Sequence, residues 1–197
     1  MGSAMPYLIR FFVFTAVSLV VGLGSAAVFL DRGFFATSRQ AGPWITWFNA
    51  GVSGADPYTI ARVARSGSLP ITAASLLSFT ATEDSNGGRL RGDCSYEIVG
   101  RPFPGLWWNI AAFTPTGQPI PNKAQRHAFN SANLVVSANG LFAVRLSPDV
   151  QPGNWLPTSS GSDVVLQLNI LRPLNRDRVV RNPQAEDLMP RITKVSC

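Results

Sequence analysis

The hydrophobic positions of the chain follow two patterns, one continuous and one alternating, and the continuous pattern comes first. It runs from Phe11 to Leu30 without a charge or a proline and stops at Asp31-Arg32. At about 1.5 Å of rise per residue, a helix of this length matches the roughly 30 Å hydrocarbon core of a bilayer. Buried helices of soluble proteins rarely run this far without a polar face, so residues 1–30 are predicted to form a single transmembrane helix.

The same segment permits a second interpretation, a cleavable signal peptide. Ser25, Ala26 and Ala27 form a small-residue site of the kind that ends such peptides. Against cleavage, the apolar run continues through Val28 to Leu30 and reaches full spanning length, so we favour an uncleaved signal-anchor in the cytoplasmic (inner) membrane. We expect a single-pass protein with its soluble domain in the periplasm, because a long C-terminal domain translocates largely regardless of its charges.

Small residues within the predicted span indicate a helical partner. Gly22, Gly24 and Ala26 let a second helix approach closely. The expected partners are therefore the lipid bilayer and a larger membrane protein complex.

Residues 31–55 are interpreted as a juxtamembrane linker with an aromatic cluster. Trp44, Trp47 and Phe48 are the aromatic residues of its PWITWF segment. Aromatic side chains beside a span often lie among the lipid headgroups. Packing on the soluble domain is an equally open alternative.

One short helix is predicted after the linker. Asp56 is a suitable N-cap, and Pro57 suits the first helical position because its missing N–H would be unpaired there. Gly67 offers a C-terminal stop.

The alternating pattern follows the helix and is typical of strands with one buried and one solvated face. It is clearest from Leu90 to Ile98, and turn signals such as Asn86-Gly87-Gly88 separate the segments. The predicted strands cover residues 75–82, 90–98, 106–113, 133–137, 141–146 and 164–171. Ser147 to Pro157 is predicted as a loop. The pattern favours a mainly β fold, an antiparallel jelly-roll-like sandwich over residues 56–197 with one short helix.

Charge is spread over the soluble part rather than concentrated. The formal net charge is +6, and Arg10 is the only charged side chain before residue 31. A diffuse positive surface beside a membrane favours anionic headgroups over nucleic acid, and the chain has no nucleic-acid motif. The basic tail from Asn175 is either loosely ordered or packed through Leu188, Met189 and Ile192.

Two cysteines, Cys94 and Cys197, have two interpretations. In an oxidising compartment they can form a disulfide that closes a loop of about 100 residues. Alternatively, Cys94 is a small buried apolar side chain within a strand. Neither a metal site nor a cofactor is expected, because His127 is the only histidine and the cysteines lack ligand spacing.

No catalytic constellation is evident in the sequence. His127 has no GxSxG-type elbow to partner it. Glu83 and Asp84 precede a turn. They can be interpreted as part of a solvated hairpin turn or as a cation site, and the hairpin turn is the simpler interpretation. Asp93 and Glu97 lie on the wet face of one strand. The alternative hypothesis is an enzyme, either an envelope hydrolase or a carbohydrate-active enzyme, that uses Glu83, Asp93 or Glu97 in a cleft of the sandwich.

Aromatic residues are the stronger candidates for contact with a ligand or partner. Trp107 and Trp108 are adjacent in a strand, so one indole is expected on each face. Trp155 lies in the PGNWLP segment, either presented to a ligand or closing one end of the sandwich with its N–H bonded to backbone.

Two segments resemble the bacterial family called domain of unknown function 1214. GGRLRGDCSYEIVGRPFPGLWWNIAAFTPTGQPIPN is similar to a region with a glycine-containing strand and an aromatic strand, and NWLPTSSGSDVVLQLNILRP is similar to the family's distinctive motif. The resemblance covers about residues 55–195 and implies a jelly-roll-like β domain without an established reaction. The chain departs from the family at Trp108-Asn109-Ile110, and a membrane span stands where many relatives carry a larger domain. The motif residues are Asn154, Trp155, Leu156, Pro157, Arg172 and Pro173.

These observations favour a membrane-anchored, non-enzymatic binding or accessory subunit that contacts an envelope glycan, a lipid or a membrane complex. A purely structural envelope module is a further alternative. The candidate contact residues are Trp107, Trp108, Asn154, Trp155 and Arg172.

Overall fold

The computed structural model describes residues 4–32, 38–174 and 188–197. The first element is a long helix, α1 (Ala4–Arg32). Met5–Leu30 is long and apolar enough to cross a membrane, and its most apolar window is not buried within the protein. By length and composition, α1 is either a membrane anchor or a signal sequence.

The remainder of the described chain is mainly β, with two sheets and one further helix, α2 (Pro57–Ser66). The six-stranded sheet has the order β1-β2-β3-β9-β5-β6, and the four-stranded sheet has the order β10-β4-β7-β8. The strands are β1 (Arg39–Ala41), β2 (Trp44–Thr46), β3 (Leu76–Ala81), β4 (Ser95–Gly100), β5 (Trp107–Phe113), β6 (Ala128–Asn130), β7 (Phe142–Ser147), β8 (Asn154–Pro157), β9 (Val165–Leu171) and β10 (Arg191–Ser196).

The core consists of the inward-facing positions of the strands, as the alternation predicts. In β3, β4 and β9 every second residue is buried. The largest fully buried side chains include Trp44, Phe79, Tyr96, Ile98, Ile110, Phe142 and Leu166. These apolar side chains supply the main driving force for folding.

The predicted linker contributes strands to the larger sheet. β1 pairs with β2, and β2 meets β3 through Ile45 and Thr80. Trp44 is fully buried, and its Nε1–H donates a hydrogen bond of 2.7 Å to the carbonyl oxygen of Pro190. Of the two alternatives for the aromatic cluster, Trp44 therefore packs on the domain.

Several predicted strands differ from the structure. Residues 133–137 form only an isolated bridge at Val136 and Phe142, and β6 lies just before them. β8 replaces part of the loop predicted over Ser147 to Pro157 and runs parallel to β7, so the smaller sheet is mixed rather than antiparallel. Proline and glycine dominate this segment, and four residues are too few to show a period of two.

The end of the chain packs on the domain. Met189 and Ile192 are buried, and β10 pairs with β4. Residues 175–187, the first part of the predicted tail, lie outside the described residues. Cys94 and Cys197 are joined in a disulfide, which ties the end of β10 to the residue before β4.

Candidate functional site

A row of uncharged polar side chains crosses the outer face of the six-stranded sheet. Ser78, Asn169 and Asn109 stand opposite one another on β3, β9 and β5. Ser78 Oγ donates to Asn169 Oδ1 at 2.7 Å, and Asn169 Nδ2 donates to Asn109 Oδ1 at 3.1 Å. All three residues are half-buried, so this polar row combines fixed geometry with access to solvent.

The next residues on the same face extend this uncharged surface. Thr80 stands opposite Gln167, and both are half-buried. Amide and hydroxyl groups carry donors and acceptors but no charge at neutral pH. The surface therefore suits a ligand rich in hydroxyl or amide groups.

The tryptophan pair of β5 divides between the two faces. Trp108 is buried and contacts the rings of Phe103 and Phe142, with centroids 5.4 Å and 5.1 Å away. Trp107 is half-buried on the outer face, two residues from Asn109. One indole thus packs in the core, and the other lies beside the polar row.

α2 and the end of α1 convert part of this face into a groove of about 1220 Å³. Its floor is formed by the outer positions of β3 and β9, including Ser78, Thr80, Gln167 and Asn169. Its walls include Arg62 and Arg65 of α2 and Ala27 and Val28 of α1. We call this feature the groove.

The helix α2 is positioned by the local signals that the sequence predicts. Asp56 is the N-cap, Pro57 is the first helical residue, and Gly67 adopts a left-handed conformation with φ of 64°. Thr59 is the buried residue of α2, while Phe29 of α1 meets Tyr58 edge-to-face with ring centroids 6.0 Å apart. α2 thus rests on the C-terminal end of α1.

One buried polar atom at the groove has no hydrogen-bond partner among the described residues. Thr46 lines the groove and is 1% exposed, and its Oγ1 is unpaired. An unpaired buried hydroxyl costs about 1–3 kcal/mol. Thr46 lies on the same face of β2 as the fully buried Trp44, so this hydroxyl is on the core side of the strand.

The Asn-Trp-Leu-Pro motif has structural contacts in this fold. Buried Asn154 accepts from the Val135 N–H and donates to the carbonyl oxygens of Val135 and Ala143. Trp155 donates from Nε1 to the Ser147 carbonyl at 3.0 Å. These bonds favour the interpretation that the motif closes the sandwich.

The remaining predicted contact residues lie away from the groove lining. Arg172 is exposed, has a positive φ of 46° and donates its backbone N–H to the Ser75 carbonyl. Gly22 and Gly24 are exposed on α1, and Ala26 is partly exposed. A side-chain carbon added at Gly22 or Gly24 would meet nothing within 4 Å. Gly22 and Ala26 are four residues apart and share one face of α1, whereas Gly24 lies near the opposite face.

Two of the three candidate carboxylates, Asp93 and Glu97, pair with arginines, whereas Glu83 lines the groove. Asp93 accepts from Arg91 Nε at 2.9 Å and from a second Arg91 nitrogen, and these hydrogen bonds lower the pKa of Asp93. Glu97 pairs with Arg145 at 3.6 Å. A general acid for glycoside cleavage needs a raised pKa, so Asp93 is unsuited to that role.

The acidic turn has a structural explanation. Asp84 is buried, and its Oδ1 accepts the N–H groups of Asn86 at 2.8 Å and Gly88 at 2.9 Å. His127 is exposed, with Nδ1 3.3 Å from Asn122 Nδ2. Within the described part of the chain, no group of three or more His, Cys, Asp or Glu residues is arranged to hold a metal ion.

Sequence reasoning missed the floor of the groove. The signal was present, because the wet positions of β3 and β9 carry serine, threonine, glutamine and asparagine without a charge. Most solvated strand faces include charged residues. What the pattern did not reveal was that β3, β9 and β5 are neighbours.

The fold and groove define a β-rich domain behind a long apolar helix. The family described as Protein of unknown function (DUF1214) matches residues 75–175, just over half of the chain. The chain belongs to this family, which confirms the resemblance found in its sequence.

One solved structure shows a related fold. The VPA0106 protein from Vibrio parahaemolyticus matches with a TM-score of 0.56 and 18% identity, covering 72% of this chain and 36% of its own length. An uncharacterized protein from Burkholderia cenocepacia matches with a TM-score of 0.41 and 15% identity, covering 91% of this chain and 52% of its own. The chain thus spans about a third to a half of these structures. The search of curated proteins gives no match.

Proposed function

We propose that this protein is a membrane-anchored, non-enzymatic binding domain that acts as an accessory subunit, with the groove as its ligand site. The observation that carries the proposal is the uncharged polar floor of the groove, enclosed by α2 and the end of α1. The half-buried Trp47 also lines the groove, and fixed amide and hydroxyl groups together with an aromatic ring are suited to bind polyol or sugar hydroxyls.

The floor favours binding over catalysis. Ser78, Thr80, Gln167 and Asn169 do not exchange protons near neutral pH. Acid–base catalysis needs a group whose pKa lies near the working pH. These four side chains can hold a ligand by hydrogen bonds without transforming it. The carboxylates of the lining are Glu83 and Asp163, and Asp163 pairs with Arg89 at 3.4 Å.

The anchor in this proposal is α1, retained in the cytoplasmic membrane with the jelly-roll-like domain in the periplasm. The Cys94–Cys197 disulfide supports the outer location, because disulfides persist in oxidising compartments. Gly22 and Ala26, which share one face of α1, support contact with a helix of a larger membrane complex, and Gly24 is a further small residue of the same segment.

A variant that fills the groove tests the ligand site. Gln167→Trp places a bulky ring on the floor, whereas the control Glu97→Trp places it on the other sheet. We expect a small molecule to co-purify stoichiometrically with the wild-type chain and with Glu97→Trp, and to be lost from Gln167→Trp. Mass spectrometry of the purified chains reads this out. The proposal would be contradicted if no molecule co-purified with the wild-type chain, or if Gln167→Trp retained the same molecule.

A further inference from the structure

We propose that the ligand of the groove is an amphiphile drawn from the bilayer, a lipid whose head carries a phosphate and free hydroxyls. This inference rests on the proposed function and narrows it to one chemical class. Three features of the groove carry it: its position at the end of α1, its arginine wall and its mixed polar and apolar lining.

The position of the groove brings it to the membrane surface. Ala27 and Val28 belong to the last turns of the apolar segment Met5–Leu30, and both line the groove. With α1 in a bilayer, these residues lie near the boundary between hydrocarbon and headgroups. A lipid headgroup therefore reaches the groove without leaving its own membrane.

The wall formed by α2 supplies positive charge. Arg62 and Arg65 are three residues apart, so they lie on one side of the helix, and both line the groove. Guanidinium groups bind phosphate through charge-assisted, often bidentate hydrogen bonds. A phosphate group bound at this wall would interact with the positive charge of Arg62 and Arg65 in addition to the contacts that these side chains make within the protein.

The floor supplies partners for an uncharged headgroup. Ser78, Thr80, Gln167 and Asn169 present hydroxyl and amide groups along β3 and β9. Glycerol or sugar hydroxyls match this surface better than a quaternary amine, which donates no hydrogen bond.

Apolar side chains of the groove lining would contact the acyl chain of the lipid. Val63, Leu69 and Ile71 line the groove, and Leu69 is 78% exposed while Ile71 is 37% exposed. Exposed apolar side chains grouped beside an interfacial helix are typical of contact with lipid. An acyl chain along these residues and the end of α1 would remove their apolar surface from water.

Lipid binding to the full-length chain tests the inference. The chain in nonionic detergent is titrated with phosphatidylglycerol, phosphatidylcholine or glycerol phosphate, and bound molecules are counted by native mass spectrometry. We expect one phosphatidylglycerol per chain, held more tightly than the other two. The Arg62→Gln/Arg65→Gln variant should bind it about tenfold more weakly, because charged hydrogen bonds are lost. The control Arg101→Gln/Lys194→Gln removes the same charge elsewhere and should bind it normally.

The outcomes separate this inference from the proposed function. Equal binding of phosphatidylglycerol and phosphatidylcholine, or binding unaffected by the Arg62 and Arg65 changes, overturns the inference. Glycerol phosphate binding as tightly as the lipid also overturns it, while leaving a groove that binds a soluble ligand. Gln167→Trp should lose the lipid although its thermal unfolding matches that of Glu97→Trp. If no ligand binds the wild-type chain in a way that Gln167→Trp abolishes, both proposals are overturned.

Discussion

Asp56 is the residue that fixes the start of the groove wall. Its Oδ1 accepts the Thr59 N–H at 3.0 Å, and its Oδ2 accepts the Thr59 hydroxyl at 2.6 Å. Partial burial raises the pKa of Asp56, but the hydrogen bonds from Thr59 outweigh it, so the net pKa lies below the ordinary 3.8. The folded state therefore favours the ionised carboxylate.

This shift predicts acid sensitivity of α2. A folded pKa below the unfolded one gives stability that is present above pH 3.8 and lost as the pH falls through the folded value. Asp56→Asn keeps an N-cap without titrating, whereas Asp56→Ala loses about 1 kcal/mol at neutral pH. Amide hydrogen-exchange protection of α2, corrected for intrinsic rates, should fall in acid for wild type but not for Asp56→Asn. Equal protection of wild type and Asp56→Ala at pH 7 would be inconsistent with this account.

The residue scale is where the sequence is most informative. Asp56, Pro57 and Gly67 act over a few neighbouring residues, and the structure confirms all three as the start and end signals of α2. The hydrogen bonds of Asn154 could not be predicted from the sequence, because they go to Ala143 and Val135, 11 and 19 residues away. Only the fold shows that its amide holds backbone together.

At the scale of elements, α2 is an amphipathic helix with a large exposed apolar surface. Thr59 is buried, but Ile60 is 57% exposed and Tyr58 is 37% exposed beside α1. The bilayer is the expected cover for this surface, because α2 contacts the end of the proposed span.

Photo-crosslinking tests the placement of α2. Benzoylphenylalanine in place of Ile60 should form adducts with phospholipid in membranes, because this side chain faces the interface. The matched control replaces Val150, which is 78% exposed and lies in the loop between β7 and β8. Mass spectrometry identifies the adducts. Similar lipid labelling at both positions, or none at position 60, would refute the placement.

Element length and burial pattern together decided which strands were predictable. β10 has six residues but only one buried position, Ile192, so it shows no alternation and was not predicted. β3, β5 and β9 are six or seven residues long, and their positions agree closely with the predicted segments. β1, β2 and β8 have three or four residues, too few to show alternation. The groove depends on which strands become neighbours, and that is a non-local property.

At the scale of the whole molecule, the disulfide closes the chain on itself. It joins residues 103 positions apart and anchors β10, the edge strand of the smaller sheet. In the chain-entropy model a loop of this length contributes about 4–5 kcal/mol. The sequence left this pairing open, because spacing alone does not bring two strands together.

Removing the disulfide should therefore destabilise the domain substantially. We expect Cys94→Ala/Cys197→Ala to lower the free energy of unfolding by up to about 4–5 kcal/mol, with the fold retained through the buried Ile192. Urea unfolding of the detergent-solubilised chain measures the loss. Wild-type protein under reducing conditions is the control and should show a similar decrease. An unchanged midpoint in both would contradict a structural role.

The central claim is that α1 remains attached and holds the groove at the membrane. The most direct test is the intact mass of the chain extracted gently from its native membranes, together with the molecules and proteins that accompany it. The account predicts a chain that retains residues 1–30, carries one disulfide and travels with a lipid and a stoichiometric membrane partner. A chain that begins near Val28 and carries neither would contradict it.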